Sequence, residues 1–272
     1  MKKFSKVLLE LQSSCDRNCW FCPRFSDRSG NRKDKNGNPI KQQFLPTDKV
    51  YDILNQLVKL HFAGPIAFHH MSEPTLDNRL IDIATDAKSM GMRPFMHTNG
   101  DRLKDNPELC KSIDSIFHRV CVGLYDYKNQ KQLNTQKKFW RKKFKNTKLT
   151  FSCRGQSSYF KVRPNMDMSQ IDESDAKIKK KLDSACNQPC FESSKRLIIH
   201  YDGNVAMCCE DMKAEFGLGN VFNESIEQIW WSKKHIEICR NLKRSKGRKL
   251  YSLCSGCKNV KKMLKFKKKN TK

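Results

Sequence analysis

Cys15-Asp16-Arg17-Asn18-Cys19-Trp20-Phe21-Cys22 follows directly on the apolar run Val7-Leu8-Leu9-Glu10-Leu11, and that junction decides the architecture. The run reads as a first strand, and the cysteines at C-x3-C-x2-C spacing read as a loop at its end. Three thiolates on one tight loop hold three irons of a cubane iron–sulfur cluster and leave the fourth iron open to a small molecule. Zinc sites pair their ligands as C-x2-C with a second pair elsewhere, so three clustered cysteines at mixed spacing favour iron–sulfur.

Outward from this loop, strand and helix signals alternate. Apolar or β-branched runs at Val7–Leu11, Pro65–Met71, Arg93–Met96, Phe117–Leu124 and Leu149–Cys153 predict strands. Thr47–His61, with Thr47 as its cap, repeats apolar residues at helical spacing. A second helix opens at Leu80 and ends near Gly91, a C-cap; a third runs from about Asn129 to Phe144. Alternation of this kind predicts parallel strands joined by right-handed crossovers. Arg24–Gln43 is a long polar loop that either covers the site or is an insertion.

The 272 residues suffice for one large domain, or for a larger and a smaller one, and 38% hydrophobic content supports a packed core. No signal peptide opens the chain, and no apolar stretch approaches the roughly 20 residues of a membrane span. Thirteen cysteines, mostly in clusters, point to metal ligation in a reducing, cytoplasmic setting. The net charge of +26 lies in basic runs at 137–145, 179–181, 243–249 and 258–272. Such runs attract polyanions, yet no nucleic-acid-binding motif accompanies them, and a solvated basic surface is the simpler account.

Past about Asn165 the alternation stops. Cys190, the run Leu197–Cys208 with Asp202-Gly203 at its centre, and Cys254-Ser255-Gly256-Cys257 take its place. Asp-Gly between apolar runs predicts a hairpin that brings Cys190 and Cys208 together, and the C-x2-C turn completes four thiolates. Cys186 and Cys209 are alternatives to these ligands, and a four-cysteine zinc site is an alternative to the cluster. Cys110, Cys121, Cys153 and Cys239 read as small packing residues. One of Trp230 and Trp231 is expected to plug this second unit.

The first cysteine trio, with Phe21 before its third member, resembles that of the radical S-adenosylmethionine (SAM) enzymes. The second set resembles SPASM and Twitch domains through Cys190-x12-Gly203-x4-Cys208, Gly217-Leu218-Gly219-Asn220 and Ser225-Ile226-Glu227-Gln228-Ile229-Trp230. The resemblance implies an α/β fold, a partial (β/α)6 TIM-like barrel at 1–165, a linker at 166–185, a cysteine-rich SPASM/Twitch-like domain at 186–260 and a basic tail at 261–272. It implies a SAM-binding 4Fe–4S cluster on Cys15, Cys19 and Cys22 and an auxiliary 4Fe–4S cluster on Cys190, Cys208, Cys254 and Cys257. SAM contacts fall to Phe21, to Glu73 after the second strand, to Asn99 in a Thr-Asn-Gly turn, and to Arg154 after the fifth strand. The implied activity is reductive cleavage of SAM to a 5′-deoxyadenosyl radical that abstracts hydrogen from a substrate C–H bond, with the auxiliary cluster in electron transfer. Oxidation of a sugar or aminocyclitol and modification of a peptide are the leading reactions, and a flavodoxin or ferredoxin is the expected electron donor. The contrasting reading is a zinc- or cluster-stabilised basic nucleic-acid-binding protein without SAM chemistry.

Overall fold

The computed structural model describes residues 3–17, 19, 22, 41–153, 187–255 and 257. Phe21, Arg154, Cys186, residues 24–40 of the polar loop, the 166–185 linker and the 261–272 tail lie outside the described residues.

Five strands alternate with helices: β1 (Lys6–Leu9), α1 (Thr47–Lys59), β2 (Pro65–Ala67), α2 (Leu80–Ser89), β3 (Arg93–Thr98), α3 (Asp101–Lys104), α4 (Pro107–Ile116), β4 (Arg119–Leu124), α5 (Gln130–Lys143) and β5 (Lys148–Cys153). The second unit supplies β6 (Arg196–Ile199), β7 (Asn204–Val205), β8 (Gly219–Asn220), α6 (Ile226–Trp230), α7 (Lys233–Leu242) and α8 (Ser252–Ser255). The strands form one sheet in the order β5-β4-β3-β2-β1-β6-β7-β8. Strands β1 to β6 are parallel, and β7 and β8 are antiparallel additions. The parallel α/β architecture is therefore as expected. Its sixth parallel strand comes from the second unit and pairs with β1, Val7 opposite Leu197 and Leu9 opposite Ile199. Both units thus share a continuous hydrogen-bonded sheet.

Strand parity sorts the core. Val7 and Leu9 of β1, Ile66 of β2, Met96 of β3, Val120 and Val122 of β4, and Leu197 and Ile199 of β6 face the helices in the main apolar cluster. Leu8, Ala67, Phe95 and Ile198 alternate with them and pack together on the other, inner face. Helix α1 buries Val50, Ile53, Leu54 and Leu57, as the helical spacing requires. Thr47 does not cap it. Pro46 occupies that position without a side-chain bond, and the Thr47 hydroxyl instead accepts from Arg79 Nη1 at 2.7 Å. Gly91 ends α2 with φ of +84°, and the Met92 N–H returns to the Ala87 carbonyl, the C-cap anticipated there. Helix α4 was not anticipated, although Asn106, whose side chain accepts from Leu109 N–H, and Pro107 at the first position form a start signal.

In the second unit, Gly203 takes φ of +80° in the β6–β7 hairpin, and a Cβ there would meet Asn220 at 2.7 Å. Trp230 is the buried plug. It packs edge-on against Phe4 at 5.0 Å and His235 at 4.4 Å. The backbone N–H of Ile226 donates to Gln56 Oε1 at 2.7 Å, tying α6 to α1.

Candidate functional site

The Cys15–Cys22 loop leaves the carboxy-terminal end of β1, with Cys22 N–H donating to the Cys19 carbonyl at 2.8 Å. Burial pushes the Cys19 thiol up to about 12, and the nearby Cys22 and Cys15 add to the rise while Arg17 opposes it. Three thiols that repel one another's ionisation at short range suit a cationic metal group, which alone would make them thiolates together. The donor set fits the cluster expected of it.

Side chains that sequence reading passed over anchor this loop. Arg17 Nη2 donates to Asp101 Oδ1 at 2.6 Å, Arg17 Nε donates to Asp101 Oδ2, and Nη1 lies 3.0 Å from Asp126 Oδ2. The Arg17 guanidinium holds the Asp101 carboxyl down at about 2. Asp101 follows β3 and Asp126 follows β4, so Arg17 staples the cluster loop across two strand ends. An arginine inside a cysteine motif, with acids just past two strand ends, was the available signal.

Glu73 and Asn99 reinforce the same corner. Glu73 is buried, and burial raises its pKa against four stabilising hydrogen bonds. Oε1 accepts from Thr75 N–H at 3.2 Å, Thr75 Oγ1 at 2.7 Å and Thr98 Oγ1 at 2.7 Å; Oε2 accepts from Asn99 N–H at 2.7 Å. Asn99 Nδ2 donates to Asp16, and Asn99 Oδ1 accepts from Asp101 N–H at 2.8 Å. Gln12 Nε2 donates to the Glu73 carbonyl at 2.7 Å. Thus Glu73, Asn99 and the cysteine loop converge, and the Glu73 carboxylate is engaged within the protein.

The inner face runs from this corner toward the other thiols. Above Leu8, Ala67, Phe95 and Ile198 lie Glu10, His69, His97 and His200. His69 Nδ1 accepts from His97 N–H at 3.1 Å, and the two rings stack at 4.6 Å. Burial holds the His69 pKa well below 6.5, helped by His97. Below the apolar layer, Lys6 Nζ sits 4.0 Å over the Phe95 ring and Arg119 sits 4.8 Å from it. Burial and then Arg196 and Arg119 lower Lys6 to about 8.

The carboxy-terminal cysteines gather beside that basic end. Arg196, at the start of β6, donates to Cys209 Sγ at 3.5 Å. Cys208 is driven well above 9.0 by burial, then by Cys209, Cys254 and Cys190. Burial, Cys190 and Cys257 push Cys254 up to about 12. Cys190, Cys208, Cys254 and Cys257 thus lie near enough for one thiol to raise another's pKa, and their chemistry fits a four-thiolate cluster. The Glu210 N–H donates to Cys208 Sγ at 3.4 Å, and the Met207 N–H donates to Asp211 Oδ2 at 3.0 Å, which fixes the turn. Cys209, the alternative ligand, adjoins Cys208 and also packs beside the inner-face group of Leu8 and Ile198. Of the cysteines expected to pack, Cys110, Cys121 and Cys239 are buried, and Cys153 is only partly buried against the main apolar cluster. The two thiol sets adjoin opposite ends of the same parallel strands. From Lys6 to Glu10 the chain rises about 13 Å at about 3.3 Å per residue.

No helix among the described residues is long and apolar enough to cross a membrane. Residues 190–258 match the SPASM model, described as an iron–sulfur cluster-binding domain. The chain is 27% identical over 270 residues to the S-adenosyl-L-methionine-dependent 2-deoxy-scyllo-inosamine dehydrogenase of Niallia circulans, covering 95% of this chain and 94% of that one. Among solved structures it is similar to BtrN in complex with AdoMet and 2-DOIA, with a TM-score of 0.68 and 24% identity over 95% of this chain and 94% of that chain. It is also similar to native anSMEcpe with bound AdoMet, with a TM-score of 0.57 and 12% identity over 94% and 89% of the two chains. The chain thus has the radical SAM fold, and its residues 190–258 match a SPASM iron–sulfur cluster-binding domain.

Proposed function

We propose that this protein is a radical SAM dehydrogenase that oxidises a hydroxyl-bearing carbon of a polar small molecule of the sugar or aminocyclitol class. One observation carries the reading: a three-thiol loop and a four-thiol pocket adjoin opposite ends of the same parallel strands, with a polar inner face between them. When bound, SAM and the first cluster supply a carbon radical that removes a hydrogen atom from the substrate, and the second cluster supplies an acceptor for the electron left behind.

The chain's own residues do the rest. Arg17, Asp101, Asn99 and Glu73 fix the cysteine loop, and Phe21 and Arg154 are assigned to SAM by the family resemblance alone. Glu73 is a positioning residue in this scheme, acting through Thr98 and Asn99. His97, exposed at the inner face, offers an acceptor for the hydroxyl proton released on oxidation. Lys6 and Arg196 put positive charge beside Cys209 and the carboxy-terminal thiols, which favours arrival of an electron there. The contrasting nucleic-acid reading has no support in the SPASM match.

The test is anoxic incubation of reconstituted protein with SAM and dithionite, or with reduced flavodoxin or ferredoxin. Formation of 5′-deoxyadenosine, abolished in the Cys15→Ala, Cys19→Ala, Cys22→Ala variant, is expected. A panel of aminocyclitols, sugars and peptides should give ketone formation with a polyol alone. Peptide modification would replace the substrate assignment, and absence of SAM cleavage would overturn the enzymatic reading.

A further inference from the structure

We propose that Glu10, His70 and His200 form a mononuclear site for a first-row divalent cation of the zinc, manganese or iron(II) type, separate from both cysteine sets. Glu10 follows β1, His70 follows β2 and His200 follows β6, so three neighbouring parallel strands deliver one ligand each at the same end of the sheet. Their donor atoms all lie within 4.8 Å of one another. Glu10 and His200 are 1% and 5% exposed, and the His70 and His200 rings meet edge-on at 4.8 Å.

The local bonding leaves work for a cation. Glu10 Oε1 accepts from Met71 N–H at 2.8 Å, which orients the carboxylate and turns Oε2 toward His200. Oε2 and His200 Nδ1 stand 3.9 Å apart, beyond hydrogen-bond length. His200 Nε2 is buried with no hydrogen-bond partner among the described residues. A buried carboxylate facing a buried imidazole across such a gap calls for a bridging species. A metal ion about 2.0–2.2 Å from each donor would draw the three together by about 1 Å, a change that side-chain torsions supply while the strand ends stay fixed.

The donor types define the ion. Two imidazoles and one carboxylate suit zinc, manganese and iron(II). Calcium and magnesium prefer all-oxygen shells, and thiophilic ions have the cysteines. Three protein ligands leave a coordination position open, and the inner face beside it is where a substrate oxygen or water would enter. The Met71 N–H bond to Glu10 supplies the outer-shell support that metal-ligating carboxylates use.

The proposal is independent of SAM chemistry, and its test reads metal binding directly. Protein loaded with both clusters is titrated anoxically with Mn2+, following the room-temperature EPR signal of the free aquo ion. Zn2+ serves as a second probe, measured by metal analysis after gel filtration. One ion per chain beyond the cluster iron is expected, with affinity reduced at least about tenfold in Glu10→Gln and in His200→Gln at unchanged iron and sulfide content. In the wild type, pulsed EPR of bound Mn2+ should show nitrogen couplings from two imidazoles, a readout that needs no variant. Absence of binding by both ions, equal binding by the variants, or bound Mn2+ without imidazole coupling would each overturn the proposal.

Discussion

Replacing Glu73 by glutamine tests whether this carboxylate touches the cofactor or holds the site together. Glu73 accepts two backbone N–H bonds, from Thr75 at 3.2 Å and Asn99 at 2.7 Å, and two hydroxyl bonds, from Thr75 and Thr98. The hydroxyls can turn to accept, but the two backbone N–H groups cannot. Whichever way the glutamine amide faces, its NH2 abuts one of them, so one buried donor loses its acceptor. Loss of a hydrogen bond to a charged group is worth about 1.5–3 kcal/mol. Part is offset because a neutral amide escapes the burial that raises the Glu73 pKa. A net loss of about 2 kcal/mol lowers the melting temperature by about 4–8 °C at this chain length. Anoxic circular dichroism melts, with iron content recorded, measure it. An unchanged melting temperature with weakened SAM binding would refute the positioning role and return Glu73 to direct contact with the nucleotide.

Other substitutions probe the two thiol sets and the buried histidine. Arg17→Met should speed loss of the first cluster to a chelator, releasing about half of the eight irons expected of two cubanes. The ion pair with Asp101 is partly solvent-screened and is worth about 1 kcal/mol; an unchanged chelation rate would remove Arg17 from the loop's support. Cys208→Ser should lose about four irons, whereas Cys209→Ser should keep all of them, because Cys209 faces the Leu8–Ile198 group. Iron loss only from the Cys209 variant would exchange the two roles. His69 is buried neutral, with its pKa well below 6.5, so the unfolded chain binds a proton that the folded site refuses. Stability should therefore fall as pH drops below about 6.5, by up to about 1.4 kcal/mol per pH unit. Denaturant unfolding of His69→Gln between pH 6.5 and 5.5 should show that slope reduced by one proton; parallel slopes would rule His69 out.

What could be read from the chain alone follows from local rules. The Cys15, Cys19 and Cys22 spacing needs only one loop to make a three-thiolate ligand, and strand or helix periodicity marks each element because side-chain direction repeats along it. The Asp202-Gly203 turn is likewise local, since its backbone conformation is tied to glycine. The rest was decided by distance in space. Strand β6 lies beside β1 although about 190 residues separate Lys6 from Arg196, and no pattern within either strand names its partner. That pairing puts His200 next to Glu10 and Arg196 next to Cys209, and it aligns the two thiol sets on opposite ends of shared strands. Arg17 finds Asp101 and Asp126, and Glu73 finds Thr98 and Asn99, only after the parallel register brings successive strand ends to one edge. Chemistry that resides in a short segment is written in the residues; chemistry assembled from several strand ends depends on which strands pair, and long-range burial sets that.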